Sequence, residues 1–528
     1  MALSIASILA ESAQRHPDKA AVIFADRPVS YATLWDQARR WATVMRERGV
    51  GPGDRVAILL GNTPHFPIAY YAVLALGGVV VPVHALLRAE EIEYALRDAE
   101  ARLLICAGPL LGEGAKGAEL AGVPVLAAMD GGDAAVERID ALAASAEPIA
   151  QLVMREPDDD AVILYTSGTT GQPKGAVLSQ FNMVMNAVIT ATSVMEIADD
   201  DVVIGVLPLF HSFGQSCVMN SGFFRGATIV LMPRFDGAQA LEQMIRHQVT
   251  LFVGVPTMYI GLLEAARNDD RRPPLVRGTS GGSSLPLTVI ERFKEVFGVD
   301  IFEGYGLSET SPVATFNQKA YGRKVGTVGR AIWGVDVEIA RAEIEERIEL
   351  LPPGEIGEVV IRGHNVMKGY HNRPEATAAA IVDGWFRSGD LGVKDEDGFI
   401  SIVDRKKDLV IRGGFNVYPR EVEERLLRHP AIGQVAVIGL PHDVYGEEVC
   451  AVVVRSPEAA DRDEGELGRE IVDWAREQLG RHKYPRVVRF AAALPLGPSG
   501  KVLKRELVAT YRDGAAESAG PPGGASVG

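Results

Sequence analysis

The segment Tyr165–Gly175, YTSGTTGQPKG, combines residue types that suit phosphate binding and follows an apolar run, Ala161–Tyr165, that predicts a buried strand. Gly168 and Gly171 let the backbone turn its N–H groups toward an anion, and the lysine adds a positive charge. The segment is not a Walker A loop, because its lysine follows proline and precedes glycine. We expect the β- and γ-phosphates of ATP to be held by Thr166, Ser167, Gly168, Thr169, Thr170 and Lys174.

A second segment, Glu303–Glu309, reads EGYGLSE. Glycines flank Tyr305, so its ring can lie against a flat partner. The carboxylate of Glu309 is a ligand that a hard cation such as Mg²⁺ prefers, together with phosphate oxygens. Taken alone, the segment fits a tight turn at a strand end equally well.

Weaker signals lie further apart. Asp390, in the string SGDL, could accept hydrogen bonds from two hydroxyls of a diol. Lys501 follows the string PLGPSG near the end of the chain, and His211 lies in the string LPLFHSFG. Each has an ordinary alternative: a common turn, a solvated lysine and a core histidine.

These segments sit in an α/β pattern. Ser30 predicts the start of a helix whose apolar side recurs with a 3.6-residue period and which ends at Gly49. Residues 108–150, rich in alanine and glycine, carry little pattern and are expected to be peripheral. Short strands between glycine and proline turns predict a β-rich subdomain over residues 320–405.

The charged string DRKKD, residues 404–408, predicts a domain boundary. A self-contained α+β pattern follows it. We therefore expect a large α/β domain over residues 1–406, a small mobile α+β domain over 407–512, and a disordered tail over 513–528 without an apolar face to bury.

Composition excludes several classes of protein. A formal net charge of −15 argues against a nucleic-acid binder, which must neutralise phosphates. The 3 cysteines are far apart, which predicts neither disulfides nor a metal cluster and favours a reducing, cytoplasmic setting. No apolar run is long enough to predict a transmembrane segment. Contact with a membrane surface and a homodimer stay open.

Taken together, these segments resemble the adenylate-forming superfamily, in the same order from about residue 10 to residue 507. The superfamily includes acyl-CoA synthetases, and the overall resemblance favours bacterial medium- and long-chain fatty-acid:CoA ligases. It implies that a carboxylic acid, ATP and CoA give acyl-CoA, AMP and pyrophosphate through an acyl-adenylate. Mg²⁺ would assist as a cofactor, and CoA would be a co-substrate.

The resemblance also implies residue roles. Tyr305 would stack on adenine, Ser308 would bind the α-phosphate, and Glu309 would hold Mg²⁺. Lys501 would be the catalytic lysine of the mobile domain, and His211 an aromatic gate. The remaining implied residues are the adenine-site residues Gly282, Ser283, Ser284, Glu303, Gly304 and Gly306, the ribose and nucleotide contacts Asp390 and Arg405, the hinge Lys407, and the CoA-tunnel glycines Gly413 and Gly414. Serines replace the usual alanine or proline at 283 and 284, and Ser388 replaces the usual threonine.

The acid is less well defined. Ser212 cannot supply the charge that amino-acid-activating relatives use, so an amino acid is disfavoured. The expected pocket residues are apolar, which suits an acyl chain: Phe213, Val218, Met219 and Val255. An aryl-CoA ligase and a fatty acyl-AMP ligase that loads a carrier protein remain alternatives. A catalytically silent binding protein is the alternative from another class.

Overall fold

The first part of the chain alternates strands and helices, as predicted. The computed structural model describes residues 3–131, 135–166, 172–497 and 502–512. The strands up to residue 331 are β1 (Ala20–Phe24), β2 (Arg27–Ser30), β3 (Arg55–Leu59), β4 (Val79–Pro82), β5 (Leu103–Ala107), β6 (Val125–Ala128), β7 (Asp160–Thr166), β8 (Lys174–Ser179), β9 (Val202–Gly205), β10 (Thr228–Leu231), β11 (Leu251–Gly254), β12 (Arg277–Ser280), β13 (Ile301–Gly306), β14 (Val313–Phe316) and β15 (Arg330–Ala331). The helices of this part are α1 (Ser7–Arg15), α2 (Tyr31–Glu47), α3 (His65–Ala75), α4 (Ala89–Asp98), α5 (Leu111–Ala121), α6 (Ile139–Ala143), α7 (Gln180–Ile189), α8 (Ser221–Arg225), α9 (Gly237–Arg246), α10 (Pro256–Ala265) and α11 (Leu287–Phe297).

The β-rich subdomain predicted for residues 320–405 is present. Its elements are β16 (Val335–Ala340), β17 (Ile356–Gly363), β18 (Gly369–Tyr370), α12 (Pro374–Ala380), β19 (Ile381–Val382), β20 (Trp385–Lys394) and β21 (Ile400–Arg405). An antiparallel sheet has the order β16-β17-β20-β19, with β21 paired to β20. The short strand β18 leaves this sheet and pairs with β8 instead.

The chain after residue 405 forms a separate sheet with its own core. Its elements are β22 (Val410–Arg412), β23 (Phe415–Val417), α13 (Pro419–Leu426), β24 (Ile432–His442), β25 (Gly446–Arg455), α14 (Glu464–Gln478), β26 (Val487–Phe490) and α15 (Lys504–Tyr511). The sheet has the order β23-β22-β25-β24, with β26 paired to β25. The predicted boundary and hinge lie between β21 and β22. In the described part of the chain, no helix is both long and apolar enough to cross a membrane.

Two sheets of the first part carry the candidate site. One has the order β15-β14-β13-β12-β11-β9-β10-β1-β2 and the other β18-β8-β7-β4-β3-β5-β6. Strands β9 and β11 to β13 run parallel to one another, so their carboxyl ends share one edge of the sheet. Open α/β sheets bind ligands at that edge.

Helix α2 shows how local sequence produces these elements. The Ser30 hydroxyl accepts a hydrogen bond from the Thr33 N–H at 3.2 Å, which satisfies a donor at the start of the helix. The buried side includes Leu34, Ala38 and Trp41, as their spacing predicts.

The expectation of little pattern for residues 108–150 is wrong in part. Helix α5, strand β6 and helix α6 lie there, and β6 pairs with β5 at the end of its sheet. A β-carbon added at Gly114 would lie 2.5 Å from the Cys106 sulfur, and one at Gly117 would lie 2.8 Å from Ile92 Cβ. These glycines therefore permit the close packing of α5 against its neighbours.

Candidate active site

The sheet edge formed by β9 and β11 to β13 gathers segments that are far apart in sequence. Val255 follows β11, Gly281 follows β12, and Tyr305 lies at the end of β13. The segment with His211 and Phe213 follows β9. A β-carbon added at Gly281 would lie 3.2 Å from the Phe213 ring, so the predicted pocket segment and the predicted adenine-site segment touch there.

Tyr305 and Asp390 contact each other directly, although 85 positions separate them in the sequence. The Tyr305 hydroxyl donates to Asp390 Oδ2 at 2.6 Å, and Arg405 Nε lies 3.3 Å from Asp390 Oδ1. Burial and the nearby Asp390 carboxylate raise the pKa of Tyr305 well above its ordinary value, so the hydroxyl keeps its proton and donates. The aromatic ring, the carboxylate and the guanidinium form one cluster.

The turn before Asp390 is fixed by Ser388. Its hydroxyl donates to the Val359 carbonyl at 2.7 Å and accepts from the Asp390 N–H at 3.1 Å. Gly389 between them has φ +72°, which favours glycine. Asp390 and Arg405 are paired residues on β20 and β21, so the sheet register itself places them side by side.

A second cluster forms around Glu309, which lies in a 3₁₀ turn, Ser308–Thr310, after β13. Glu309 Oε1 accepts from the Thr166 hydroxyl at 3.2 Å and from the Tyr370 hydroxyl at 3.0 Å. The Lys174 ammonium lies 5.3 Å from the centre of the Tyr370 ring, within cation–π range. Thr166 thus contacts this carboxylate directly, and Lys174 lies over the tyrosine ring whose hydroxyl donates to it. We call this group of residues the nucleotide half of the site: Thr166, Lys174, Tyr305, Glu309, Tyr370 and Asp390.

Glu303 supports the predicted adenine-site segment from beneath. It is buried, and its Oε1 accepts from the Leu285 N–H at 3.3 Å, directly after Ser284. Burial raises the pKa of Glu303 to about 7. Gly282 has φ +82°, and Gly282 and Ser283 are exposed. Glu303 thus anchors the turn that carries the exposed residues.

Comparison with known proteins decides the family. The model of the AMP-binding enzyme family matches residues 9–371, and that of the AMP-binding enzyme C-terminal domain matches residues 421–501. The chain belongs to the AMP-binding enzyme family. The predicted membership of the adenylate-forming superfamily is thereby confirmed.

Relatives of this AMP-binding enzyme span nearly its whole length. A long-chain-fatty-acid–CoA ligase of Bacillus subtilis is 36% identical and covers 96% of this chain and 94% of its own. A feruloyl-CoA synthase of an Amycolatopsis species is also 36% identical, and the match covers 94% of this chain and 96% of the relative. The solved structure of ATP-bound MatB from Rhodopseudomonas palustris has a TM-score of 0.87 at 34% identity, over 96% and 99%. The predicted fold class and the predicted enzyme class, an ATP-dependent acid:CoA ligase, are confirmed. These names do not agree on one acid.

The residues expected to line the acyl pocket of this AMP-binding enzyme are apolar and close-packed. Phe213, Val218 and Met219 lie in a π-helix, Phe213–Asn220, an element that often occurs at functional sites. Val218, Met219 and Val255 are buried, and Phe213 is half-buried. We call these four residues the acyl half of the site. Ser212, next to Phe213 of the acyl half, has its Oγ 3.4 Å from the Oγ of Ser308, the neighbour of Glu309, so the two halves adjoin there.

The same π-helix contains polar groups that sequence reasoning missed. Gln215 and Ser216 are fully buried, yet among the described residues neither amide atom of Gln215 nor the Ser216 hydroxyl has a hydrogen-bond partner. Buried polar groups usually have partners, so each exception requires an explanation. The two residue types give no signal in the sequence, because only the folded structure reveals that they are buried without partners among the described residues.

His211 is half-buried, and its Nδ1 accepts from the Phe213 N–H at 3.3 Å. This bond orients the imidazole ring at the start of the π-helix. The predicted role of His211 as a gate stays a prediction, since this hydrogen bond involves only the backbone of Phe213.

The predicted hinge and tunnel residues lie outside the two clusters. Lys407 is exposed between β21 and β22. Gly413 and Gly414 have φ +57° and +82°, and an added β-carbon at Gly414 would meet nothing within 4 Å. Glycine at 414 is therefore explained by backbone conformation and not by crowding in this arrangement.

Five predicted residues lie outside the described part of the chain: Ser167, Gly168, Thr169, Thr170 and Lys501. The predicted tail over 513–528 lies outside it too. Tyr370 is the functional candidate in the nucleotide half that sequence reasoning missed. A neutral tyrosine 61 residues from Glu309 gives no local signal for their contact.

Proposed function

We propose that this enzyme activates a predominantly apolar carboxylic acid with ATP and transfers its acyl group to free CoA. In the first step, a carboxylate oxygen attacks the α-phosphorus of ATP. The bond from that phosphorus to the oxygen bridging to the β-phosphate breaks, and pyrophosphate leaves. The acid is already ionised at neutral pH, so this step requires no general base. The proposal is carried by one set of contacts: Thr166 and Tyr370 both donate to Glu309, and Lys174 lies over the Tyr370 ring.

The nucleotide half supplies positioning and charge for this step. Lys174 and the segment 166–175 would bind the β- and γ-phosphates, and Asp390 with Arg405 would bind the ribose. Lys501 would bridge the acid and the α-phosphate. Preorganised charges of this kind stabilise phosphoryl transfer without covalent work by the protein.

The residues present fit Mg²⁺. Glu309 offers a buried carboxylate with the Thr166 hydroxyl beside it, and phosphate and water oxygens would complete an oxygen-only set. When bound, the ion would offset negative charge on the phosphates. Tyr370 would then orient the carboxylate through its hydrogen bond to Oε1.

The second step transfers the acyl group. The CoA sulfur attacks the carbonyl carbon of the adenylate, the bond to the AMP oxygen breaks, and the thiol proton passes to solvent. We propose that the domain over residues 407–512 rotates about Lys407 between the steps. Gly413 and Gly414 would then face the path of the pantetheine arm, where a side chain would obstruct it.

The acid itself has two candidates. The apolar acyl half favours a medium- or long-chain fatty acid, because each buried CH₂ contributes about 0.8 kcal/mol. Buried Gln215 and Ser216 favour the second candidate, an aryl acid that carries a hydroxyl or methoxy group. Such a group would supply the partners that these side chains otherwise lack.

A panel of acids with free CoA tests these candidates. Octanoate, dodecanoate and hexadecanoate are compared with cinnamate and 4-hydroxycinnamate, and AMP, pyrophosphate and the thioester are measured. If Gln215 contacts an aryl substituent, a Gln215→Leu variant loses the preference for 4-hydroxycinnamate over cinnamate and keeps its rate with cinnamate. Adenylate without thioester would favour a carrier protein as acceptor.

The buried free cysteines Cys106, Cys217 and Cys450 support a reducing, cytoplasmic setting. Membrane-surface contact and a homodimer stay predictions.

A further inference from the structure

Asp98, the last residue of α4, contacts two other segments of the chain through its carboxylate. Its Oδ2 accepts from the Tyr165 hydroxyl at 2.8 Å, and its Oδ1 accepts from Arg373 Nη2 at 2.6 Å. The Asp98 side chain is only 9% exposed. Burial and this carboxylate raise the pKa of Tyr165 well above its ordinary value, so the tyrosine remains a donor. One buried carboxylate therefore joins α4, the end of β7 and the turn after β18.

The same helix also holds the far end of the loop. Tyr94 lies one helical turn before Asp98, on the same face. Its hydroxyl donates to the Pro173 carbonyl at 2.8 Å. Tyr165 and Pro173 flank the segment 166–172, so α4 contacts the chain on both sides of the segment that would bind phosphate. Thr166 and Lys174 are paired residues of β7 and β8, so the two described ends of the predicted loop lie side by side.

Gly175 permits this arrangement. A β-carbon there would lie 2.7 Å from Ile163 Cγ2 and 3.3 Å from Tyr165 Cζ. Glycine at this position lets the tyrosine ring lie across the neighbouring strand and extend to Asp98. This explains the glycine after Lys174 by close approach rather than by phosphate contact.

Through Arg373, Asp98 also reaches the cluster around Glu309. The Arg373 N–H donates to the Tyr370 carbonyl at 3.1 Å. The Tyr370 side chain in turn contacts both Glu309 and Lys174. Asp98 is thus connected, through Arg373 and then Tyr370, to Glu309 and Lys174, the two charged residues that would face the triphosphate.

We infer that Asp98 is a positioning residue for ATP. Together with Tyr94 and Tyr165, it holds the two ends of the predicted phosphate loop in place for binding the triphosphate. Through Arg373, it also holds the Tyr370 ring under Lys174. The inference rests on the proposed function. It does not place Asp98 in contact with substrate, and it predicts an effect on ATP rather than on the acid or CoA.

The direct test is Asp98→Asn in the full chain. The asparagine amide has the same shape as the carboxylate but no charge. Its N–H₂ group cannot accept a hydrogen bond, so either Tyr165 or Arg373 loses its acceptor. We expect KM for ATP to rise about 10-fold, while KM for the acid and for CoA stays within about 2-fold, because hydrogen bonds to charged groups are among the stronger ones. Asp98→Glu should restore part of the loss.

Asp201→Asn is a matched control. Asp201 is also buried, pairs with Arg277 Nη2 at 2.5 Å and accepts from the Thr250 hydroxyl at 2.6 Å. It precedes β9, at the opposite end of that strand from the site edge. This variant should lower the Tm and leave KM for ATP unchanged.

Two milder variants cover the case in which Asp98→Asn does not fold. Tyr165→Phe and Tyr94→Phe each remove one hydroxyl and keep the pair of Asp98 with Arg373, and each should raise KM for ATP about 3-fold. The inference is overturned if these variants change only the Tm, or raise the three KM values equally, as a structural defect would. Wild-type protein that forms no AMP with any acid would instead contradict the proposed function.

Discussion

The nucleotide half and the acyl half of this site are constructed differently. In the nucleotide half, polar side chains from distant segments contact one another directly, as Tyr305 does with Asp390 and Tyr370 with Glu309. In the acyl half, most of the residues come from one π-helix and are buried among apolar neighbours. The chemistry of activation is therefore defined by particular atoms, whereas the choice of acid depends on the shape and polarity of a packed surface.

This difference explains why the reaction class is easier to assign than the substrate. A carboxylate, a lysine and a tyrosine at fixed positions restrict the chemistry severely. An apolar lining accepts many acids, since one methylene more or less changes binding only modestly. The following experiments test whether the two halves separate in function as they do in construction.

The largest effect is expected from Lys501→Ala. Removing a charge that stabilises the transition state should lower acid-dependent ATP–pyrophosphate exchange by about 1,000-fold. Thioester formation from added acyl-adenylate should stay within a few-fold of wild type and serves as the internal control. Equal losses in both half-reactions would contradict the role of this lysine in activation.

Lys407→Pro should affect the opposite half-reaction. Proline restricts φ at the proposed hinge, so CoA thioester formation should fall about 100-fold while adenylate formation is retained. Single-turnover measurements of AMP and thioester separate the two. Lys407→Ala removes the charge without restricting the backbone, so its rate of thioester formation should be close to that of wild type. If this rate falls as it does in the proline variant, restriction of the hinge is not the cause of the loss.

Asp390→Asn tests the nucleotide half alone. Asp390 holds Tyr305 and Arg405, and its carboxylate would bind ribose, so KM for ATP should rise about 50-fold with KM for the acid nearly constant. Asp395→Asn is the matched control in the adjoining turn, where the carboxylate pairs with Lys324 instead. A comparable rise in KM for the acid would mean that the halves are not separable.

The smallest expected effect concerns stability. Burial raises the pKa of Glu303 to about 7, so folding favours its neutral form. That contribution is complete below the unfolded pKa, near 4.5, and is lost as the pH rises through 7. Relative to Glu303→Gln, the free energy of unfolding of wild type should fall by about 2.5 kcal/mol between pH 5 and pH 8. A constant difference in chemical denaturation across this range would contradict the shift.

Local features of the fold could be predicted from the sequence. Ser30 starts α2, and the apolar run 161–165 is a strand, because capping and periodicity are local. Helix α5 was missed, since Gly114 and Gly117 are required by close packing that only the neighbouring elements reveal.

The candidate site follows the same rule. Tyr305, Glu309 and Asp390 carry their chemistry in their motifs, so they could be named before their contacts were known. Tyr370 and Asp98 could not, because they act through partners 61 and 67 residues away or more. Gln215 became a candidate only when burial left its amide without a partner among the described residues.

The central claim is that this nucleotide half brings a carboxylate oxygen onto the α-phosphorus of ATP. The most direct measurement uses an acid labelled with ¹⁸O in its carboxyl group, free CoA and wild-type protein, with mass spectrometry of the products. Attack at the α-phosphorus predicts one ¹⁸O atom in AMP and none in pyrophosphate. Label in inorganic phosphate or pyrophosphate, or thioester formed with unlabelled AMP, would contradict the account.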